Sequence, residues 1–314
     1  MIFKSSDGKE FTISETVRNQ IKPNWMEMLK PSKERKLEPQ LHGHKKHIDR
    51  IIQDLGEYGL TLVGKDILEA GCGYGEKCFE MAQYEGTKVH GIDVDEYTVE
   101  QSPDLNSWNP EDVALVHNKL DEVHNELANK FPKCVSDKVT FETIGIEGYA
   151  TPNLHDLIVS WDVLEHIIDL PLAFHQMSNA LKKGGVAYHE YNPFFSINGG
   201  HSLCTLDFLY GHCILSSKDF ERYVREIRPE EEKVDLNFYY KCLNRATRAD
   251  IKELSEKNGF EILKFKGNTP MGEEFELWKK DVNERVLPIV KEYYPNIILD
   301  DFISDSVLLI LRKI

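Results

Sequence analysis

The chain reads as an α/β protein built on a seven-stranded, doubly wound, mostly parallel sheet. Three observations lead there. Short apolar runs rich in Ile, Leu and Val alternate with stretches of helical period, the pattern of strand–helix–strand crossovers. The run DILEA (66–70) passes directly into the glycine-rich turn GCGYG (71–75), and a helix-period stretch follows. A second run, KVHGID, ends on Asp93, 22 residues beyond Gly71.

Taken in order, the first 60 residues form a helical N-terminal extension to a main domain over 61–314. That stretch is polar and punctuated by Pro23, Pro31 and Pro39, and residues 1–38 read as an extension. Over 40–58, Ile48, Ile51, Ile52 and Leu55, with Leu60 just beyond, recur near a 3.6-residue period and predict a helix. The strands are expected at 66–70, 88–92, 138–142, 157–161, 186–191, 260–266 and 306–312. An amphipathic helix over 170–181 is ended by Lys182-Lys183-Gly184-Gly185, cations in the last turn and glycine after it. Another helix is expected at 249–258. Ser216 caps a further one over 216–232, which places Phe220, Tyr223, Val224 and Ile227 on one side.

Three connections, 106–137, 193–247 and 270–301, exceed what the crossovers need, and loops of such length carry function or helices of their own. Ligands of open α/β sheets lie beyond the carboxyl ends of the strands. The 193–247 insertion leaves the sheet at that edge, so it is the expected substrate lid.

Composition limits the partners. The 314 residues carry a net charge of −15, with 53 acidic against 38 basic side chains. A phosphate backbone needs clustered Lys and Arg, and only KERK (33–36) and HKKH (44–47) are candidates, so no nucleic-acid partner is expected. No 18-residue apolar run and no signal-type start are present, which predicts a cytoplasmic protein with no membrane partner. The six cysteines contain no C-x-x-C pair, which points to a reducing compartment and away from thiolate zinc.

The turn carries the chemistry. Gly71, Gly73 and Gly75 remove the Cβ atoms that would hold a ligand off the backbone. The helix opening at Glu76 brings unpaired N–H groups to the same place. Asp93 stands where a ribose-binding carboxylate sits in nucleoside-binding units. The dinucleotide fingerprint would need glycine at position 76, and Glu76 stands there instead, with Glu69 ahead of the turn. Two carboxylates suit a cationic amino acid and sulfonium better than a pyrophosphate.

On these residues the chain resembles the class I S-adenosylmethionine (SAM)-dependent methyltransferases, whose first motif is E/D-x-G-x-G-x-G. The resemblance covers about 62–192. It implies SAM as cofactor and an antiparallel last strand. Glu69, Gly71, Cys72, Gly73, Gly75, Asp93 and Val94 would hold the methionine part and the ribose. SWDVLEHI (160–167) resembles the family's motif after the fourth strand, so Trp161 and Asp162 would border the cofactor; Asp162 could equally cap a helix. Glu165 and His166 match the family's L-E-H-I run, where His166 is either a packed helix residue or a direct participant. Many members place an adenine-binding Asp after the third strand; here Gly145 and Ile146 occupy that region, and Glu147 is the nearest carboxylate.

A general base is required only for a hydroxyl or a protonated amine acceptor. His201, after Gly199-Gly200, is the first candidate, followed by His212 and Tyr191. The aromatic density around them fits a pocket that packs on a ring or sugar face. His42, His44 and His47 belong to a segment that often closes over the cofactor in this family, and no carboxylate motif joins them as a metal site. The expected activity is methyl transfer to oxygen or nitrogen of a small molecule or glycan unit. Aminocarboxypropyl transfer, cyclisation with release of methylthioadenosine, a nicotinamide oxidoreductase and a non-catalytic SAM-binding protein stay open as alternatives.

Overall fold

The structure, a computed structural model, describes residues 1–22, 44–94, 110–131, 137–200, 203–269 and 271–314. An N-terminal hairpin, β1 (Ile2–Lys4) and β2 (Glu10–Thr12), precedes α1 (Glu15–Ile21) and α2 (Lys45–Gly56). The main sheet follows as β3 (Asp66–Ala70), α3 (Glu76–Met81), β4 (Lys88–Asp93), α4 (Pro110–Lys130), β5 (Val139–Thr143) and β6 (His155–Trp161). Then come α5 (Leu170–Ala180), β7 (Leu181–Tyr191), α6 (Ser217–Ile227), α7 (Glu232–Asn237) and α8 (Arg248–Lys257). β8 (Phe260–Gly267), α9 (Glu273–Asp281) and β9 (Val307–Lys313) complete the chain.

The seven strands lie in the order β5-β4-β3-β6-β7-β9-β8. Only β9 is antiparallel to its neighbours, β7 on one side and β8 on the other. The chain winds outward from β3 through β4 to β5, then returns to lay β6 on the opposite side of β3. The topological switch point therefore falls between the carboxyl ends of β3 and β6, where ligands of such sheets bind.

Near-continuous apolar strands are expected when both faces of a parallel sheet are covered. One face packs Leu68, Ile158, Ala187 and Leu309 against α5 and α8. The other packs Ile67, Leu157, Val159, Tyr188 and Ile310 against α2 and α3.

Two expectations need correction. Lys182-Lys183-Gly184-Gly185 does not close the helix: α5 ends at Ala180, its C-cap Leu181 is already extended, and the four residues belong to β7. Lys182 Nζ is drawn to Asp66 Oδ2 (2.9 Å) and Asp156 Oδ2 (2.8 Å), and these charge-assisted bonds hold the segment beside β3 and β6.

The second correction concerns the start of the chain. Residues 1–22 form a hairpin and a helix packed on the 193–247 insertion. Phe3 meets Tyr223 edge-on at 4.9 Å, and Phe11 stacks on Phe208 at 4.8 Å. The Ser6 backbone N–H and hydroxyl both donate to Asp219. Lys22 Nζ reaches Glu231 Oε2 (3.0 Å), Asp235 Oδ1 (3.1 Å) and the Leu203 carbonyl (3.0 Å). Arg18 pairs with Glu231, and Arg228 forks onto Asp207. Three cations thus meet three carboxylates beside an apolar layer that also includes Val282 and Leu287 from the 270–301 connection and Phe302 just after it. Polar composition concealed this, because hairpin pairing and six mutually neutralising charges do the joining.

Candidate active site

The carboxyl edge of the sheet gathers most of the sequence-predicted cofactor residues. After β3 the chain doubles back: the Gly71 and Cys72 N–H groups both donate to the Ile92 carbonyl at the end of β4 (2.8 and 3.1 Å). Gly71 takes φ +69°, and a Cβ there would overlap the Val163 side chain. Gly73 takes φ +54° for a different reason. A Cβ on it would meet nothing within 4 Å, so its bare backbone faces open space. Gly75, at φ +82°, is the N-cap of α3. Asp93 bridges back, its Oδ2 accepting from the Gly73 N–H at 2.7 Å and its Oδ1 from Val94 N–H at 2.8 Å. Burial raises its pKa above the usual carboxylate value despite these bonds.

One strand further, Val94 and Glu147 come together: a Cβ on Gly145 would sit 3.1 Å from Val94 Cγ1 and 3.0 Å from Glu147 Oε2. Glu69 is different, being wholly buried within β3. Its Oε2 accepts from the Cys78 thiol at 2.9 Å, and Lys77 Nζ stands 3.6 Å from its Oε1. Burial raises the Glu69 pKa. Glu69 thus ties the first turn of α3 to the strand.

At the end of β6, Trp161 is buried and its indole nitrogen has no hydrogen-bond partner among the described residues. Lys77 Nζ lies 5.1 Å from the ring centroid, and the His47 ring stacks at 6.3 Å. The start of α2 therefore covers this side, with His44 beside His47. His44 is held down at about 4, first by burial and then by the Lys77 charge. His42 lies outside the described residues. Sequence reasoning missed Lys77, because nothing in GEKC tells a solvated lysine from one facing the switch point.

Asp162 adopts a left-handed φ of +57°, unusual for a residue with a side chain. It caps no helix; Asn192 Nδ2 donates to its Oδ1 at 2.6 Å. Val163 leads into a single 3-10 turn, Leu164–His166. That turn is pinned from the insertion side by Asn244, whose Nδ2 donates to the Leu164 and Ile167 carbonyls. The Glu165 carboxylate accepts from the Asn192 N–H at 3.0 Å. His166 Nδ1 lies 2.6 Å from the Cys242 carbonyl. A carbonyl only accepts, so Nδ1 carries the proton and Nε2 is the basic nitrogen of the neutral ring. Asn192 and Asn244 gave no sequence signal, since lone asparagines are commonplace in loops.

The candidate bases are not brought to this edge together. His201 lies outside the described residues. His212 is buried in the insertion, with Nε2 2.9 Å from the Phe194 carbonyl and burial holding it at about 4. Tyr191 is buried in the apolar layer against α5 and α8, and burial raises its pKa. Both are committed to packing, His212 within the insertion's own core and Tyr191 under the sheet at the end of β7.

Residues 41–264 match the family model described as a methyltransferase domain. The chain belongs to that family. It is a class I, SAM-dependent methyltransferase, and its strand order has the antiparallel β9 set between β7 and β8. Solved structures of similar fold include phosphoethanolamine N-methyltransferase 2 of Haemonchus contortus, 20% identical with a TM-score of 0.47. That match covers 84% of this chain and 52% of the other. A SAM-dependent methyltransferase of Mesorhizobium loti is 14% identical, with a TM-score of 0.45 and 83% and 96% of the two chains covered. Magnesium protoporphyrin IX methyltransferase of Synechocystis is 15% identical, with a TM-score of 0.44 and coverages of 86% and 83%. No curated protein sequence matches the chain. Among the described residues, no helix of this methyltransferase is long and apolar enough to cross a membrane.

The residues present fit SAM. Gly73 offers bare backbone, Asp93 a carboxylate beside it, and Trp161 a buried N–H donor without a partner among the described residues.

Proposed function

We propose that this methyltransferase modifies an oxygen or nitrogen of a small molecule or glycan unit. Gly71, Cys72, Gly73, Gly75, Asp93 and Val94 hold the cofactor, Glu147 lies at its adenine end, and Trp161 and Asp162 border its methionine part. Glu69 supports the turn from inside. When bound, SAM supplies a methyl group already activated by the sulfonium. The protein must then orient the acceptor, exclude water and, for a protonated nucleophile, remove a proton.

One observation carries the acceptor class: His166 sits in the turn after β6 with its tautomer fixed by the Cys242 carbonyl. That arrangement presets Nε2 as a proton acceptor, which an O–H or N–H nucleophile needs. Asp162 and Asn192 line the same exit and can orient a polar acceptor. Residues 193–247, clasped by 1–22, serve as the lid over the acceptor, and the aromatic Phe238 beside His166 suits a ring or sugar face. The charge balance favours such acceptors over nucleic acid. The five cysteines among the described residues are free, in keeping with a cytoplasmic site of action.

The test is His166→Ala and His166→Gln, assayed by S-adenosylhomocysteine release over an acceptor panel. A loss in kcat of roughly 10²–10⁴-fold with unchanged SAM affinity supports the assignment. Wild-type kcat in both variants, with the same pH profile, rejects it.

A further inference from the structure

The sequence spaces its cysteines without a C-x-x-C pair, yet the fold brings two thiols together beneath the cofactor turn. Cys72 sits between Gly71 and Gly73, and Cys78 stands in the first turn of α3, with five residues between them. The turn folds back so that both sulfurs press on one point of β4. A Cβ added to Gly91 would lie 2.9 Å from Cys72 Sγ and 2.9 Å from Cys78 Sγ. Both cysteines are free, and their sulfurs close on that point from two sides. The missing Cβ at Gly91 is what leaves room for the pair.

We propose that Cys72 and Cys78 form a reversible intramolecular disulfide when the protein meets a hydroperoxide, and that this crosslink switches off cofactor binding. The balance is simple. One thiol takes the terminal peroxide oxygen to become a sulfenic acid, releasing an alcohol, or water from hydrogen peroxide. The second thiol attacks that sulfur and water leaves, so the two thiols lose two electrons and the peroxide gains them.

The consequence for the site follows from what each cysteine now does. The Cys72 carbonyl accepts from the Gly75 N–H at 2.9 Å and its N–H donates to Ile92, so Cys72 sets the path of the turn. The Cys78 thiol donates to Glu69, and a disulfide has no proton to donate. Crosslinking therefore strips a donor from a wholly buried carboxyl and reshapes the glycine backbone that faces the cofactor. By reciprocity, a ligand that prefers the reduced turn must slow its oxidation. Burial keeps both thiols protonated, so the reaction is slow and speeds up as pH rises and thiolate forms.

Trypsin gives a direct readout, because Lys77 lies between the two cysteines. Cleavage after Lys65, Lys77 and Lys88 puts Cys72 in peptide 66–77 and Cys78 in peptide 78–88. Reduced wild-type protein is treated with tert-butyl hydroperoxide with and without SAM, digested without reductant, and analysed by mass spectrometry. SAM affinity is titrated on the same samples before and after dithiothreitol. The expected result is a 66–77/78–88 crosslink suppressed by SAM, with a SAM dissociation constant raised at least tenfold and restored by reductant. Cys78→Ser, which keeps a donor to Glu69, should lose both the crosslink and the peroxide sensitivity. Separate peptides after peroxide while Cys242 is oxidised would overturn the pairing. A crosslink that leaves SAM affinity unchanged would overturn the switch. The crosslink is read without cofactor, so failure of SAM to bind reduced protein would be a distinct result, counting against the cofactor site itself.

Discussion

Gly73 donates its backbone N–H to Asp93 Oδ2 across 2.7 Å, joining the turn after β3 to the acid at the end of β4. The two halves of the proposed cofactor site are thus held in register. Gly71 and Gly73 are left-handed for different reasons, and substitution separates them. Gly73→Ala places a methyl in open space, so it should cost roughly 1–2 kcal/mol of backbone strain while blocking the ligand. Gly71→Ala collides with Val163 as well, and should cost about 3 kcal/mol or more. Thermal unfolding and SAM titration together check this. A Gly73→Ala protein less stable than Gly71→Ala, or one binding SAM normally, contradicts the geometry.

The clasp between the chain's start and the insertion rests on Lys22. Both Glu231 and Asp235 are fully buried beside it. Burial lowers the Lys22 pKa and raises that of Asp235, so each depends on the other's charge. Lys22→Ala leaves two buried carboxylates short of a cation, and about 3 kcal/mol of stability should be lost. Lys4→Ala, which removes only an exposed pair with Glu10, should cost well under 1 kcal/mol. Equal unfolding midpoints for the two variants would show the clasp to be idle.

Stability should fall in mild acid. Burial holds His189 and His212 at about 4, against 6.5 for a free imidazole. Both rings are neutral in the fold, while the unfolded chain takes up protons once the pH drops below 6.5. Their contribution is complete above pH 6.5 and is lost as pH falls toward 4. The linkage amounts to roughly 2 kcal/mol per ring at pH 5. Urea unfolding at pH 7.5 and pH 5 measures it, and His212→Asn should reduce the slope. Equal or greater stability at pH 5 would refute the neutral assignment.

The sheet was legible because parallel strands covered on both faces must be apolar, and Ile67, Leu68, Ile158 and Val159 are. The cofactor edge was legible because glycine and aspartate there answer local geometric demands. The joining of 1–22 to the insertion was not. It depends on Lys22 meeting Glu231 and Asp235 more than 200 residues away, and periodicity holds no such information. The role expected of His212 failed for a related reason. A histidine's surroundings decide its role, and His212 proved to be the hub of a turn at Phe194. Cys72 and Cys78 met because a glycine turn reversed the chain, which their spacing alone did not announce.

The most direct test of the account is calorimetric titration of SAM into wild-type protein and Asp93→Ala. Saturable one-to-one binding to the wild type is expected. In the variant, loss of bonds to a charged group should weaken binding by about 1–3 kcal/mol. No saturable heat with the wild type, or the same dissociation constant for both proteins, would contradict it.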